Sequence, residues 1–276
     1  MLIFQKNEGF DAGQVRAALS TVDLSQVVRL TPRQFDDYSS LLLPADRLAG
    51  QRAGGTWSDL FDYNWLQNRY PVIGLLIWYL FIFVLGLAVY PIIRLAMPGL
   101  ADKGYPLSRA LGLVIFAYLS WLAGSVGIPY TRTTIAVVFG AILATGAVLG
   151  HLQRDELLEE FKTKRKYFLT IEGLFLAFFV IDLLIRLGNP DMWHPSKGGE
   201  RPMDFSYFNA VIKSTSFPPY DPWFAGGYIN YYYYGFVIVG TPVKLLGIVP
   251  SIAYNFILPT LFATVGISAF SIGWNL

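Results

Sequence analysis

The chain has 276 residues, 54% of them hydrophobic and 14% charged, with a net charge of +2 and no cysteine. Soluble domains carry about 25% charged residues, so this composition, with a mean hydropathy of +0.45, excludes a soluble domain and indicates an all-α integral membrane protein in contact with the lipid bilayer. The small net charge and the absence of a basic stripe exclude a nucleic-acid partner, and the lack of cysteine excludes disulfides, cysteine-ligated zinc and thiol nucleophiles.

Residues 1–70 are polar and mixed. Leu2-Ile3-Phe4 reads as a short strand, and no basic stretch precedes an apolar run, so a signal peptide is not expected to begin here. Asp11 is placed to cap a helix over Ala12 to Leu19. Thr31-Pro32 reads as a cap followed by a first-turn proline, opening a second helix through Phe35 to Leu43. Gly50 to Gly55 reads as a linker. Trp57, Phe61, Tyr63, Trp65 and Tyr70 then form an aromatic cluster of the kind found at membrane interfaces.

Six apolar stretches follow: Pro71 to Met97, Leu107 to Gly127, Thr133 to Gly150, Phe168 to Leu187, Gly235 to Val249 and Ile252 to Trp274. A bilayer core needs about 20 such residues per helix, so about six transmembrane helices are expected. Lysine and arginine in short loops set orientation. The segment 151–167 holds Arg154, Lys162, Lys164, Arg165 and Lys166, and the first connection is flanked by Arg94, Lys103 and Arg109. Both are expected on the cytoplasmic side of the cell membrane, which places residues 1–70 and the loop 189–235 on the extracytoplasmic side. Lys244 then falls near the inner end of the fifth helix, from which it could snorkel to the cytoplasmic surface. In 151–166 glutamates precede lysines at helical spacing, which reads as an exposed helix with internal ion pairs.

The fourth stretch carries Glu172, Asp182 and Arg186. The last two are four residues apart and share a face. Arg186, near the outer end, could hold a phosphate or lock into an internal ion pair. The loop 189–235 is long, aromatic and acidic, and long ordered loops are where function concentrates. In it, Phe205, Phe208 and Ile212 share one helical face, so Asp204 sits at a helix start. It is either an N-cap or a carboxylate able to take a proton or ligate a metal. Glu200 is a candidate second carboxylate. Trp193 and His194 are candidate substrate contacts, with His194 a base, a ligand or a structural histidine. Phe217 to Trp223 is stiffened by three prolines. Trp223, Asn230 and the run Tyr231, Tyr232, Tyr233 and Tyr234 offer stacking rings and hydroxyls for a sugar or lipid headgroup, or an interfacial belt.

The motifs Asn189-Pro190-Asp191, Gly199 to Phe205, Pro218 to Trp223, Gly226-Gly227 and Asn230 to Gly235 resemble those of the YYYxG-motif membrane protein family (Chlor_Arch_YYY), a domain of unknown function in Chloroflexi and Archaea. The resemblance spans about residues 71–276, with Arg201 where lysine is expected. Family members are longer and some carry tandem copies. Residues 1–70 are therefore expected to be the tail of a preceding copy plus a linker, and the chain an internal fragment. The family is similar to GT-C glycosyltransferases. That implies sugar transfer from a polyprenyl-phosphate donor, with Asp204 as base or metal-assisting carboxylate, Glu200 and Asp221 assisting, Arg186 holding phosphate, and a divalent metal an open question. The other reading is a non-catalytic membrane module that binds glycan or lipid.

Overall fold

The computed structural model describes residues 11–21, 49–50, 52–55, 57–189, 201–224 and 227–276. The expected strand at Leu2 to Phe4 and the helix through Phe35 to Leu43 lie outside them. The helices are α1 (Ala12–Ser20), α2 (Trp57–Leu60), α3 (Leu66–Arg69), α4 (Pro71–Ala96), α5 (Ser108–Ser125, preceded by a 3-10 turn at Tyr105–Leu107), α6 (Arg132–Leu152), α7 (Arg154–Thr163), α8 (Arg165–Gly188), α9 (Arg201–Lys213), α10 (Tyr233–Leu246) and α11 (Pro250–Asn275). Among the described residues there is no strand, only an isolated antiparallel bridge between Tyr220 and Tyr228.

Among the described residues five helices are long and apolar enough to cross a membrane: α4, α5 with its preceding turn, α6, α8 and α11. The protein is an all-α integral membrane protein. Inside a bilayer every backbone group must be satisfied within its own segment, which is why continuous helices are the only elements at that depth. Val137, Val148, Leu169, Leu176 and Leu184 point outward from α6 and α8 as lipid-facing side chains.

The helices pack where small residues let backbones approach. A Cβ on Gly146 of α6 would lie 2.1 Å from the carbonyl oxygen of Ala88 on α4, so only glycine fits there. Several charges on the bundle helices are paired. Arg109 of α5 meets Glu172 of α8 at 2.5 Å and lies 4.0 Å from the Phe175 ring centre, and Tyr105 donates to the other Glu172 oxygen at 2.7 Å. Arg94 of α4 bridges to Glu156 and Glu160 of α7 at 2.7 and 3.0 Å.

The expected fifth span differs. α10 has 14 residues, about 21 Å at 1.5 Å per residue, which is too short for a 30 Å core. Its two ends also lie at the same end of the bundle. Its first turn packs on Trp121, near the end of α5, through Tyr233 and Tyr234. Its last turn is tied to the start of α6, where Arg132 Nε donates to Lys244 O at 3.1 Å, and to α3, where Gln67 donates to Leu246 O at 3.1 Å. Gly247, at φ +64, then turns the chain directly into α11. α11 starts beside the beginning of α4, with Asn68 Oδ1 accepting from Val249 N at 2.8 Å. It finishes beside the turn after α4, with Asn275 Oδ1 accepting from Ala101 N at 2.7 Å. α10 therefore stays at one end of the bundle, and among the described residues five helices rather than about six are candidates to cross.

Lys244 accordingly does not snorkel. It is completely buried. Its Nζ donates to the carbonyls of Tyr130 at 2.5 Å and Ser214 at 2.7 Å, and it lies 4.4 Å from the Tyr130 ring centre. The aromatic segment 57–70 packs onto the same end, burying Leu60 and Phe61 and using Asn68 as a clamp on the α10–α11 turn. Asp11 caps α1 as expected, accepting from Gly13 N at 2.7 Å. The segment 151–166 is helical with breaks at Gln153 and Lys164, and Lys164 pairs with Glu160 one turn earlier at 3.2 Å.

Two consequences are measurable. The chain has no cysteine, so single substitutions report topology cleanly. Ser251→Cys and Ser125→Cys are expected to react with an impermeant maleimide from the same side of a sealed vesicle, and Lys162→Cys from the other. Six crossings would instead group Ser251 with Lys162. Lys244→Met leaves two buried carbonyls without a donor at about 1–3 kcal/mol each, partly offset by relief of the ammonium's own desolvation. A net loss of about 1–3 kcal/mol is expected, read as a lower melting temperature in detergent.

Candidate functional site

The candidate site forms where the end of α8, the start of α9, the start of α10 and the start of α11 meet. α9 is held by its apolar face. Phe208, Val211 and Ile212 are buried, and Ile212 comes so close to α10 that a Cβ on Gly240 would lie 3.3 Å from it. Phe205 and Phe208 pack edge-on against Tyr254 of α11, at 5.7 and 6.0 Å between ring centres. The shared face of Phe205, Phe208 and Ile212 read from the sequence is thus the packing face.

Asp204 lies in the first turn of a helix that begins at Arg201, inside the helix rather than at its cap. The N-terminal end of the helix dipole favours its negative charge there. Tyr232 places its hydroxyl 3.5 Å from Asp204 Oδ1. Arg186 projects from the last turn of α8 and donates from Nε and Nη2 to Asn255 Oδ1 on α11, at 3.1 and 2.7 Å. Tyr254, one residue before Asn255, packs against Phe205, the chain neighbour of Asp204. The packing of α9 on α11 therefore brings the Arg186–Asn255 pair and the first turn of α9, with Arg201 and Asp204, to one place. Asp182, the other charge on this face of α8, has a buried Oδ2 with no hydrogen-bond partner among the described residues.

The tyrosine run divides in two. Tyr231 and Tyr232 are exposed, their rings 4.0 Å apart. Tyr232 holds a positive φ of 22° just before the helix begins, a conformation unfavourable for a bulky side chain. Strain of this kind gathers at functional sites. Tyr233 and Tyr234 belong to the scaffold. Trp121 Nε1 donates to Tyr233 O–H at 3.2 Å, Tyr233 stacks on Phe217 at 6.1 Å, and Tyr234 meets Trp121 edge-on at 5.6 Å.

Asp221 is placed elsewhere. Its Oδ1 accepts from the backbone N–H of Trp223 at 2.8 Å and Phe224 at 3.2 Å, holding the turn of a lasso closed by stacked Tyr220 and Tyr228 rings at 5.0 Å. It lines a cleft of about 420 Å³ with Trp57, Ser206, Asn209, Lys213 and Tyr220. By the 3.6-residue period, Ser206, Asn209 and Lys213 lie on the far side of α9 from Asp204. Burial, and then the charge of Asp221, push the Tyr207 phenol above its ordinary value. Trp223 donates from Nε1 to Ser206 Oγ at 2.6 Å with its ring 66% exposed, and Asn230 is exposed. Trp193, His194 and Glu200 lie outside the described residues. Among those described, no three His, Cys, Asp or Glu side chains are grouped so as to hold a metal ion.

Sequence reading missed Arg201, Tyr254 and Asn255 as members of this cluster. Tyr254 and Asn255 lie about 50 residues from Asp204 and look like ordinary polar members of an apolar span. Only the packing of α9 on α11 brings them in.

Tyr233→Ala and Tyr234→Ala are expected to cost about 2–4 kcal/mol each through lost packing. Exposed Tyr231→Ala should change stability by no more than about 0.5 kcal/mol. Melting temperatures of the three variants in one detergent check the division.

A profile of the family described as "Uncharacterized membrane protein (DUF2298)" matches residues 115–276, which include Arg186, Asp204, Tyr232 and Tyr254. No curated protein and no solved structure matches the chain.

Proposed function

The chain belongs to the DUF2298 family of uncharacterized membrane proteins, and on that premise we propose that it transfers a sugar from a polyprenyl-phosphate donor at the end of the bundle that carries the loop 189–235. That end is the extracytoplasmic one in this proposal, because lysine and arginine crowd the connections at the opposite end. The observation that carries the reading is that packing of Phe205 on Tyr254 brings the first turn of α9, with Arg201 and Asp204, beside Arg186, which is bonded to Asn255. Planar guanidinium groups match phosphate geometry, and a carboxylate one side chain away can act as a base.

In the proposed step, the acceptor hydroxyl attacks the anomeric carbon and Asp204 takes its proton. The carbon–oxygen bond to phosphate breaks, and the polyprenyl phosphate leaves with the electron pair. Arg186 and Arg201 stabilise the negative charge that grows on the departing phosphate. Tyr232, hydrogen-bonded to Asp204, orients the carboxylate. Glu200, Trp193 and His194, which precede α9 in the chain, remain candidates for the acceptor side. Asp221 acts by shaping the lasso.

A second reading, a glycan- or lipid-binding module without catalysis, is favoured by the cleft beside Trp57, Asn209 and Asp221 and by the exposed ring of Trp223. The two are separated by one assay. Membranes containing the protein are incubated with a panel of polyprenyl-phosphate sugars and sugar acceptors. Asp204→Asn is expected to lower transfer by at least about 100-fold, the usual worth of a general base, while keeping the wild-type melting temperature. Unaltered transfer in Asp204→Asn removes the carboxylate from the mechanism. Absence of transfer by the wild type across the panel, with glycan binding retained, supports the binding module.

A further inference from the structure

At the opposite end of the bundle, a cleft of about 800 Å³ opens between the turn after α4, the start of α8 and the end of α11, lined by Lys103, Lys164, Lys166, Tyr167, Phe270 and Trp274 among others. It shares no residue with the cluster around Tyr254.

The cleft joins two chemistries. Its rim carries three ammonium groups, while the nearby carboxylates are committed inward. Asp102 is buried and accepts from Gly104 N at 2.8 Å, Ser271 Oγ at 2.5 Å and Tyr167 O–H at 3.2 Å. Glu160 takes Arg94 at 3.0 Å, Tyr90 at 3.3 Å and Lys164 at 3.2 Å. Lys103 donates to the Pro98 carbonyl and Lys164 to the Ala101 carbonyl at 2.7 Å. These bonds fix the positions of the ammonium groups, and each ammonium has three donors, so donors remain for a ligand. Lys103 also holds φ at +54°, a left-handed conformation unfavourable for a lysine. The turn bears that cost while setting a cation at the rim.

The inner wall is apolar and aromatic. Trp274 lies 4.9 Å from the Tyr167 ring and stacks on Phe270 at 6.0 Å. Trp274 is 53% exposed, so this wall continues into the lipid-facing surface. Tryptophan and tyrosine settle at the headgroup level of a bilayer. A cationic rim above an aromatic wall that opens sideways to lipid is complementary to one class of molecule, with a phosphate at one end and acyl chains at the other.

We propose that this cleft is a binding site for an anionic phospholipid of the adjoining leaflet, with its phosphate among Lys103, Lys164 and Lys166 and its acyl chain along Phe270 and Trp274. Basic recesses between membrane helices bind acidic headgroups in this way.

The purified protein is reconstituted in nanodiscs of phosphatidylcholine, with and without a minority of phosphatidylglycerol. Melting temperature and the phosphatidylglycerol retained after detergent extraction are both measured. The acidic lipid is expected to raise the wild-type melting temperature by about 2–4 °C and to be retained by the protein. Lys103→Gln/Lys166→Gln is expected to lose both effects while matching the wild type in phosphatidylcholine alone. Lys164 is left intact because it ties Ala101 and Glu160 together. Lys162→Gln/Arg165→Gln removes the same charge from the same end outside the cleft and is expected to keep both effects. Equal losses in the two double variants would reduce the effect to general surface charge and overturn the site. An equal rise with inorganic phosphate in phosphatidylcholine discs would overturn the lipid assignment. Should Lys103→Gln/Lys166→Gln lower the melting temperature in phosphatidylcholine alone, lipid retention decides: retention at the wild-type level overturns the proposal and its loss supports it.

Discussion

One ammonium group organises the loop end of this protein. Lys244 sits in a helix that the hydrophobic pattern alone would thread through the bilayer, yet a charge at that depth is costly without partners. Its partners are two carbonyls, of Tyr130 between α5 and α6 and of Ser214 after α9. Meeting both requires α10 to stay at that end of the bundle. Tyr130 is buried with it, and burial lifts its phenol well above the ordinary value while its hydroxyl bonds Thr241 at 2.8 Å. Because α10 is held there, α9 finds an apolar partner in it, and α11 must begin at the end where α4 begins.

The same rule recurs at the opposite end of the bundle. Arg109 with Glu172, and Arg94 with Glu156 and Glu160, each tie helices that are distant in sequence. Buried ion pairs contribute little net stability because desolvation offsets attraction, but breaking one leaves an uncompensated charge. Their effect is to fix which helices meet and in what register. The hydrocarbon contacts around them are nearly indifferent, since lipid tails are as apolar as leucine.

The candidate site inherits its geometry from this frame. α9 has two working faces. One carries Asp204 toward Tyr232 and Tyr254, and the other forms the cleft with Asp221 and Trp57. The separation follows from helical period and from the apolar stripe of Phe208, Val211 and Ile212 that clamps the helix to α10. A loop so rich in proline and tyrosine could be taken for a single surface. Instead Tyr233 and Tyr234 join Trp121 and Phe217 in a support, and the exposed pair, Tyr231 and Tyr232, stands at the rim near Asp204.

The sequence by itself determined the class of protein, because the length and apolarity of five helices leave only the bilayer as their solvent. It also determined the packing face of α9, the cap of α1 by Asp11, and the separation of basic connections from the long loop, since these depend on local spacing and composition. The tertiary structure decided what depends on partners. Hydropathy registers the apolar residues of α10 but not the carbonyls that hold Lys244, so the placement of α10 at one end and the direction of α11 came only from packing. Likewise, no local signal pairs Arg186 with Asn255 or brings Tyr254 to Asp204. Those contacts exist because α8 and α11 run antiparallel along one seam and α9 folds back over its end.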